Sequence, residues 1–223
     1  MNENSARYVT YGQWSLIVFT VVCVALHPGS VLKVNEGGFS NYGIHLKTAI
    51  PYTLTYALGA WFTFLAARSA TPRNGTEKTM VRLLNAYAVL LLVIMFSTYG
   101  YTLNAPLKTL HGVVALVAMI FDPAAALWMI RFVKGSAWDR FFLFVVLLGL
   151  AMGVIDFLNV AHILFASEAT IALGFGFVLV HTVHRFSLVA PRDVVRESRL
   201  TLVKRSFHSF GAPSTFFGRS AKN

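Results

Sequence analysis

Residues 141–165 read FFLFVVLLGLAMGVIDFLNVAHILF. This run holds a single carboxylate, Asp156, and exceeds the roughly 20 apolar residues that carry a helix across a hydrocarbon core roughly 30 Å thick. Lipid offers the backbone no hydrogen-bond partners, so a lone apolar run of this length is predicted to be a helix. Runs of the same kind occupy 11–27, 48–67, 83–100, 109–130 and 169–184. The chain therefore reads as all-α, a polytopic membrane protein built as a bundle of six transmembrane helices.

Composition supports this. The 223 residues are 56% hydrophobic and 13% charged, with a mean hydropathy of +0.63, outside the range of ordinary soluble domains. Six spans leave no room for a separate soluble domain. The expected organisation is a cytoplasmic N-terminus over 1–10, a transmembrane domain over 11–186 with an outer loop at 28–47, and a basic cytoplasmic tail over 187–223. The formal charge of +10 would suggest nucleic acid in a soluble protein. Here the basic residues flank spans and report orientation, so no nucleic-acid partner is expected.

Short cytoplasmic loops carry the excess of Lys and Arg. With the N-terminus inside, only Lys33, Lys47 and Lys108 of the nineteen basic residues fall outside. Both termini are therefore predicted to be cytoplasmic, in the plasma membrane. All four tryptophans then lie toward the inner side, and the sequon Asn74-Gly75-Thr76 sits in the cytosol, out of reach of glycosylation. A signal-peptide reading of the first run fits less well, because its leading segment carries one Arg beside Glu3. Cys23 is the single cysteine, which excludes an intrachain disulfide and a cysteine-cluster zinc site.

In the outer loop, Val31–Val34 and Phe39–Tyr42 flank Asn35-Glu36-Gly37-Gly38, a pattern for a small hairpin as much as for a glycine-rich connector. The tail mixes basic residues with Phe207, Phe210, Phe216 and Phe217, which suits contact with anionic inner-leaflet lipid as well as simple topogenic charge. Pro191, Pro213, Gly211 and Gly218 argue against one long tail helix.

Ionisable groups inside spans need a partner, a cavity or a function. Asp156, Asn159 and His162 are spaced to wind along one side of the fifth span. With His45, His111 and Glu168 they form a candidate outer polar pocket. Deeper lies Asp122, with Asn85 and His181 as candidate partners. His111 and Asp122 are separated by eleven residues, roughly 16 Å along a helix, too far to share one ligand. Ala115, Ala118 and Ala125 form a small-residue stripe that favours helix packing over a substrate path, and Gly149 and Gly153 form a GxxxG pair with the same meaning. Pro123 frees the carbonyl of Met119 and invites a kink with a polar pocket.

No HExxH is present, and the histidine spacings call for no metal and no cofactor; His111 with His162 is the one pair with which haem would be considered. Three functions compete. The leading one is a non-enzymatic protein that contacts or organises membrane lipid through the outer pocket. A second is a membrane-embedded enzyme on a lipid-like substrate, with Asp156 or Glu168 as acid or base and His111 as partner. A third is a small proton-coupled transporter using Asp122 and Asp156. The oligomeric state is left open.

An outer loop ending Ser40-Asn41-Tyr42-Gly43 before the second span, His111-Gly112 opening the fourth and Glu168 opening the sixth together resemble the DRAM-like superfamily of six-span membrane proteins and its bacterial relatives. The resemblance implies a lipid-linked role, with His111 and Glu168 as headgroup contacts near the outer surface. Asp122, Asp156 and the basic tail have no counterpart in that pattern.

Overall fold

The computed structural model describes residues 1–29, 38–100, 103, 105–133 and 135–209, the stretch beyond 188 as backbone only. Among these residues there are seven helices and no strand: α1 Glu3–Leu26, α2 Asn41–Ile44, α3 Ala49–Ser69, α4 Gly75–Gly100, α5 Ala105–Val133, α6 Ala137–Phe157 and α7 Leu164–Ser209. Five of them, α1, α4, α5, α6 and α7, are long and apolar enough to cross a membrane, the make-up of a multi-pass membrane protein. α3 has 21 residues but is diluted by Pro51, tyrosines and threonines. Thr53, Thr55 and Thr63 return their hydroxyls to carbonyls four residues back, which satisfies them inside the helix.

The helices follow one another around a ring, α1 against α3, then α4, α5, α6 and α7, with α7 closing on α1 and also touching α5. Large apolar side chains such as Val89, Phe96, Leu116, Ile120 and Phe144 are exposed on the outside, as lipid-facing surfaces require and soluble surfaces do not. Inside, Tyr87 meets Phe175 edge-on with centroids 5.0 Å apart.

Small residues set the closest approach. A β-carbon on Gly149 of α6 would stand 2.8 Å from the Ile171 amide nitrogen and 3.0 Å from the Ser167 carbonyl of α7. Ser167 Oγ donates to the Gly149 carbonyl at 2.7 Å. The GxxxG pair thus lies in the α6–α7 contact.

Two helix starts, those of α1 and α6, carry side-chain caps. Asn2 caps α1 by accepting the Ser5 amide at 2.9 Å, and the Met1 amino group meets Glu77 at 2.9 Å. Ser136 and Asp139 form a reciprocal capping box on α6. Asp139 also takes His181 Nδ1 at 2.5 Å and Arg185 at 3.4 Å from α7, so one buried carboxylate joins a helix start to its neighbour.

Three expectations need correction. The fifth run is not one helix: α6 stops at Phe157, a turn occupies 158–163, and α7 begins at Leu164. Asn159 takes a left-handed φ of 55°, a conformation asparagine tolerates at helix ends, and Asp156 Oδ1 accepts the Ile163 amide at 2.8 Å. Asp156, Asn159 and His162 therefore do not share a helix face. Phe39 and Ser40 lie in a turn and Asn41 and Tyr42 open α2, so this arm is not a strand, and the Phe39 amide bonds a carboxylate of α7; the other arm of the expected hairpin lies outside the described residues. Finally, α7 continues through Pro191 to Ser209: one proline removes a single donor, and the helix resumes beyond it. Pro213, Gly211 and Gly218 lie outside the described residues.

Candidate functional site

The ring of helices encloses a cavity of about 350 Å³, within the roughly 300–1,000 Å³ of small-molecule sites. Its walls come from α1, α3, α4, α5 and α7, and most of them are apolar, with Leu90, Leu91 and Ile94 on one side. Ala115 and Ala118 also line it. That part of the alanine stripe leaves volume instead of filling it with a neighbouring helix, while Ala125 is buried in the core.

The cavity opens between α1 and α7. Trp14 and Phe177 line it, yet they are 60% and 49% exposed. Side chains that are both cavity wall and outer surface mark a mouth, and this mouth lies on the apolar flank of the bundle.

At one end the lining includes Phe39, Ser40, His111 and Glu168. Glu168 Oε2 accepts the Phe39 amide at 2.5 Å. Gly38 has φ 56°, and a β-carbon there would stand 2.7 Å from the same carboxylate, so glycine is required both for the turn and for the approach. His111 is buried and its Nδ1 is hydrogen-bonded to Ser97 Oγ at 2.9 Å. Phe39 packs in an aromatic group with Tyr42, Tyr52, Tyr56 and Phe165, and Tyr52 is tied to Thr98 at 2.7 Å. Burial, and then the neighbouring Cys23, push the Tyr42 phenol above its ordinary pKa.

Asp122, Gln13 and Tyr87 line the same cavity further along. Asp122 Oδ1 is buried without a hydrogen-bond partner, as is Gln13 Nε2. The Gln13 amide lies alongside the Tyr87 hydroxyl.

Of the candidate outer pocket, the cavity thus brings together His111 and Glu168. Asp156 is engaged in the turn before α7, where Asn159 and His162 are exposed. His45 packs its ring 4.4 Å from that of His27, away from the cavity wall. Asp122 does not meet its candidate partners: His181 pairs with Asp139, and Asn85 donates to the Val81 carbonyl of its own helix at 3.0 Å. The expectation that His111 and Asp122 lie too far apart to share a ligand needs correction, because both line the same cavity. Among the described residues no three His, Cys, Asp or Glu converge as metal ligands.

Sequence reasoning missed Gln13, Tyr87 and Asp139. Gln13 carried a usable signal, a polar amide within an apolar run, and Ser136-Ala137-Trp138-Asp139 has the capping-box pattern. Tyr87 carried none, because a tyrosine in a span is usually an anchor or core residue. The chain matches no family model, no curated protein and no solved structure.

Proposed function

We propose that this chain is a six-span plasma-membrane protein with both termini in the cytosol, α3 being the sixth span, and that it binds a membrane lipid in its central cavity. The observation that carries the reading is the mouth between α1 and α7. A mouth on an apolar flank admits molecules already dissolved in the bilayer, and the apolar wall favours an acyl chain or similar body. The likeness to the DRAM-like superfamily points the same way. The basic tail adds attraction to anionic inner-leaflet lipid.

Native mass spectrometry of the full chain released from mild detergent tests this. Wild type retains a lipid adduct; Ala118→Trp, which fills the cavity, loses it while keeping its melting temperature. A wild type without lipid, or equal retention in both, overturns the reading.

Proton-coupled transport is the second reading, because Asp122 and Glu168 line one cavity. It requires pH-dependent flux that Asp122→Asn abolishes.

A further inference from the structure

We propose that the cavity selects a lipid carrying a basic amine, whose nitrogen pairs as an ammonium with the Asp122 carboxylate of α5. The inference rests on the lipid-binding reading and names the headgroup.

Asp122 is the acid that the fold leaves unassigned. Glu3 pairs with Arg7, Glu77 with the Met1 amino group, and Asp139 with His181 and Arg185. Asp156 holds the Ile163 amide and Glu168 the Phe39 amide. Among the acids whose side chains are described, Asp122 alone has no such partner. Its Oδ1 is enclosed, but the residue as a whole is half-buried and forms part of the cavity wall.

The charge of the wall points the same way. The chain has nineteen Lys and Arg against nine Asp and Glu, and the lining inverts that balance: it holds Asp122 and Glu168 and, among the described residues, no Lys or Arg. His111 stands roughly 16 Å along α5 from Asp122 and is bonded to Ser97. A lone carboxylate between apolar walls is costly, and a cation is the counter-charge that offsets the cost. The wall beside Asp122 supplies none, which leaves the ligand as its source.

An amine needs no third reactant to do so. Entering uncharged from the bilayer, it takes the Asp122 carboxyl proton onto its nitrogen lone pair; the O–H bond breaks as the N–H bond forms, and ammonium and carboxylate remain as a pair. An alcohol or a carboxylic acid is too weak a base for that transfer and gains at most a neutral hydrogen bond. The remaining chain of the ligand lies along Leu90, Leu91 and Ile94.

The experiment offers the full chain three probes of equal chain length, hexadecylamine, 1-hexadecanol and hexadecanoic acid, and counts adducts by native mass spectrometry. The protein's own charge of +10 opposes unspecific attachment of a cation. The amine is expected to exceed each of the others by about tenfold, the difference between a charge-assisted and a neutral hydrogen bond. Asp122→Asn should bring the amine down to the level of the alcohol while the alcohol still binds, which shows that the site is folded; Asp122→Glu should keep the preference. An amine preference that survives in Asp122→Asn overturns Asp122 as its origin. Amine binding to wild type no better than that of the alcohol overturns the inference while leaving the lipid site intact. Binding of none of the three overturns both.

Discussion

Glu168 and Phe39 are 129 residues apart in sequence, yet the carboxylate of one holds the backbone amide of the other at 2.5 Å. A segment that would otherwise be a free connector is thereby fixed over one end of the cavity. The interaction depends on Gly38, which supplies the left-handed turn and the space above the carboxylate.

Gly38→Ala should therefore destabilise the protein by about 1–3 kcal/mol, through strain at positive φ and a clash with Glu168. Thermal unfolding in detergent measures it. An unchanged midpoint would show that the loop relaxes without loss.

Asp139→Ala should be among the most damaging single changes, at about 3–5 kcal/mol, because it removes the side-chain half of the α6 capping box and leaves partners on α7 without their carboxylate. His181→Gln should cost less, since that side chain is 43% exposed. Unfolding in mixed detergent micelles gives the ranking, and an equal effect of the two variants would contradict it.

Gly149→Ala should separate α6 from α7, since its β-carbon would meet the Ile171 side chain and, behind it, backbone atoms of Ile171 and Ser167 that cannot swing aside. Overpacking of this kind costs about 1–3 kcal/mol. The control Gly75→Ala meets nothing within 4 Å and should leave stability within about 0.5 kcal/mol of wild type.

Cysteine labelling tests the orientation. Cys23 is buried and should stay silent, so Gly75→Cys can be read in the natural background. An impermeant maleimide should modify it only after the cells are opened; labelling of intact cells would reverse the topology.

Much of the architecture was legible because apolar runs of span length have few alternatives in lipid. Where helices end inside such runs was not. Asn159 terminates one through a single backbone angle, and hydropathy does not register it. The site was legible only in part, for a related reason. Sequence marks which polar residues are out of place, as with Asp122 and Glu168, but gives no hint that Gln13 of α1 and Tyr87 of α4 line the same cavity as Asp122. It also misjudged Ala115 and Ala118, whose small side chains fill a contact in one packing and leave a hollow in another.

On the proposed lipid-binding function, the mouth between α1 and α7 also fixes the variable that controls occupancy. A cavity entered from the flank equilibrates with the two-dimensional solution around it, so its filling follows the mole fraction of ligand among neighbouring lipids and not its concentration in water. The same protein would be full in one membrane and empty in another of equal total ligand content but greater area. Its state would thus report membrane composition.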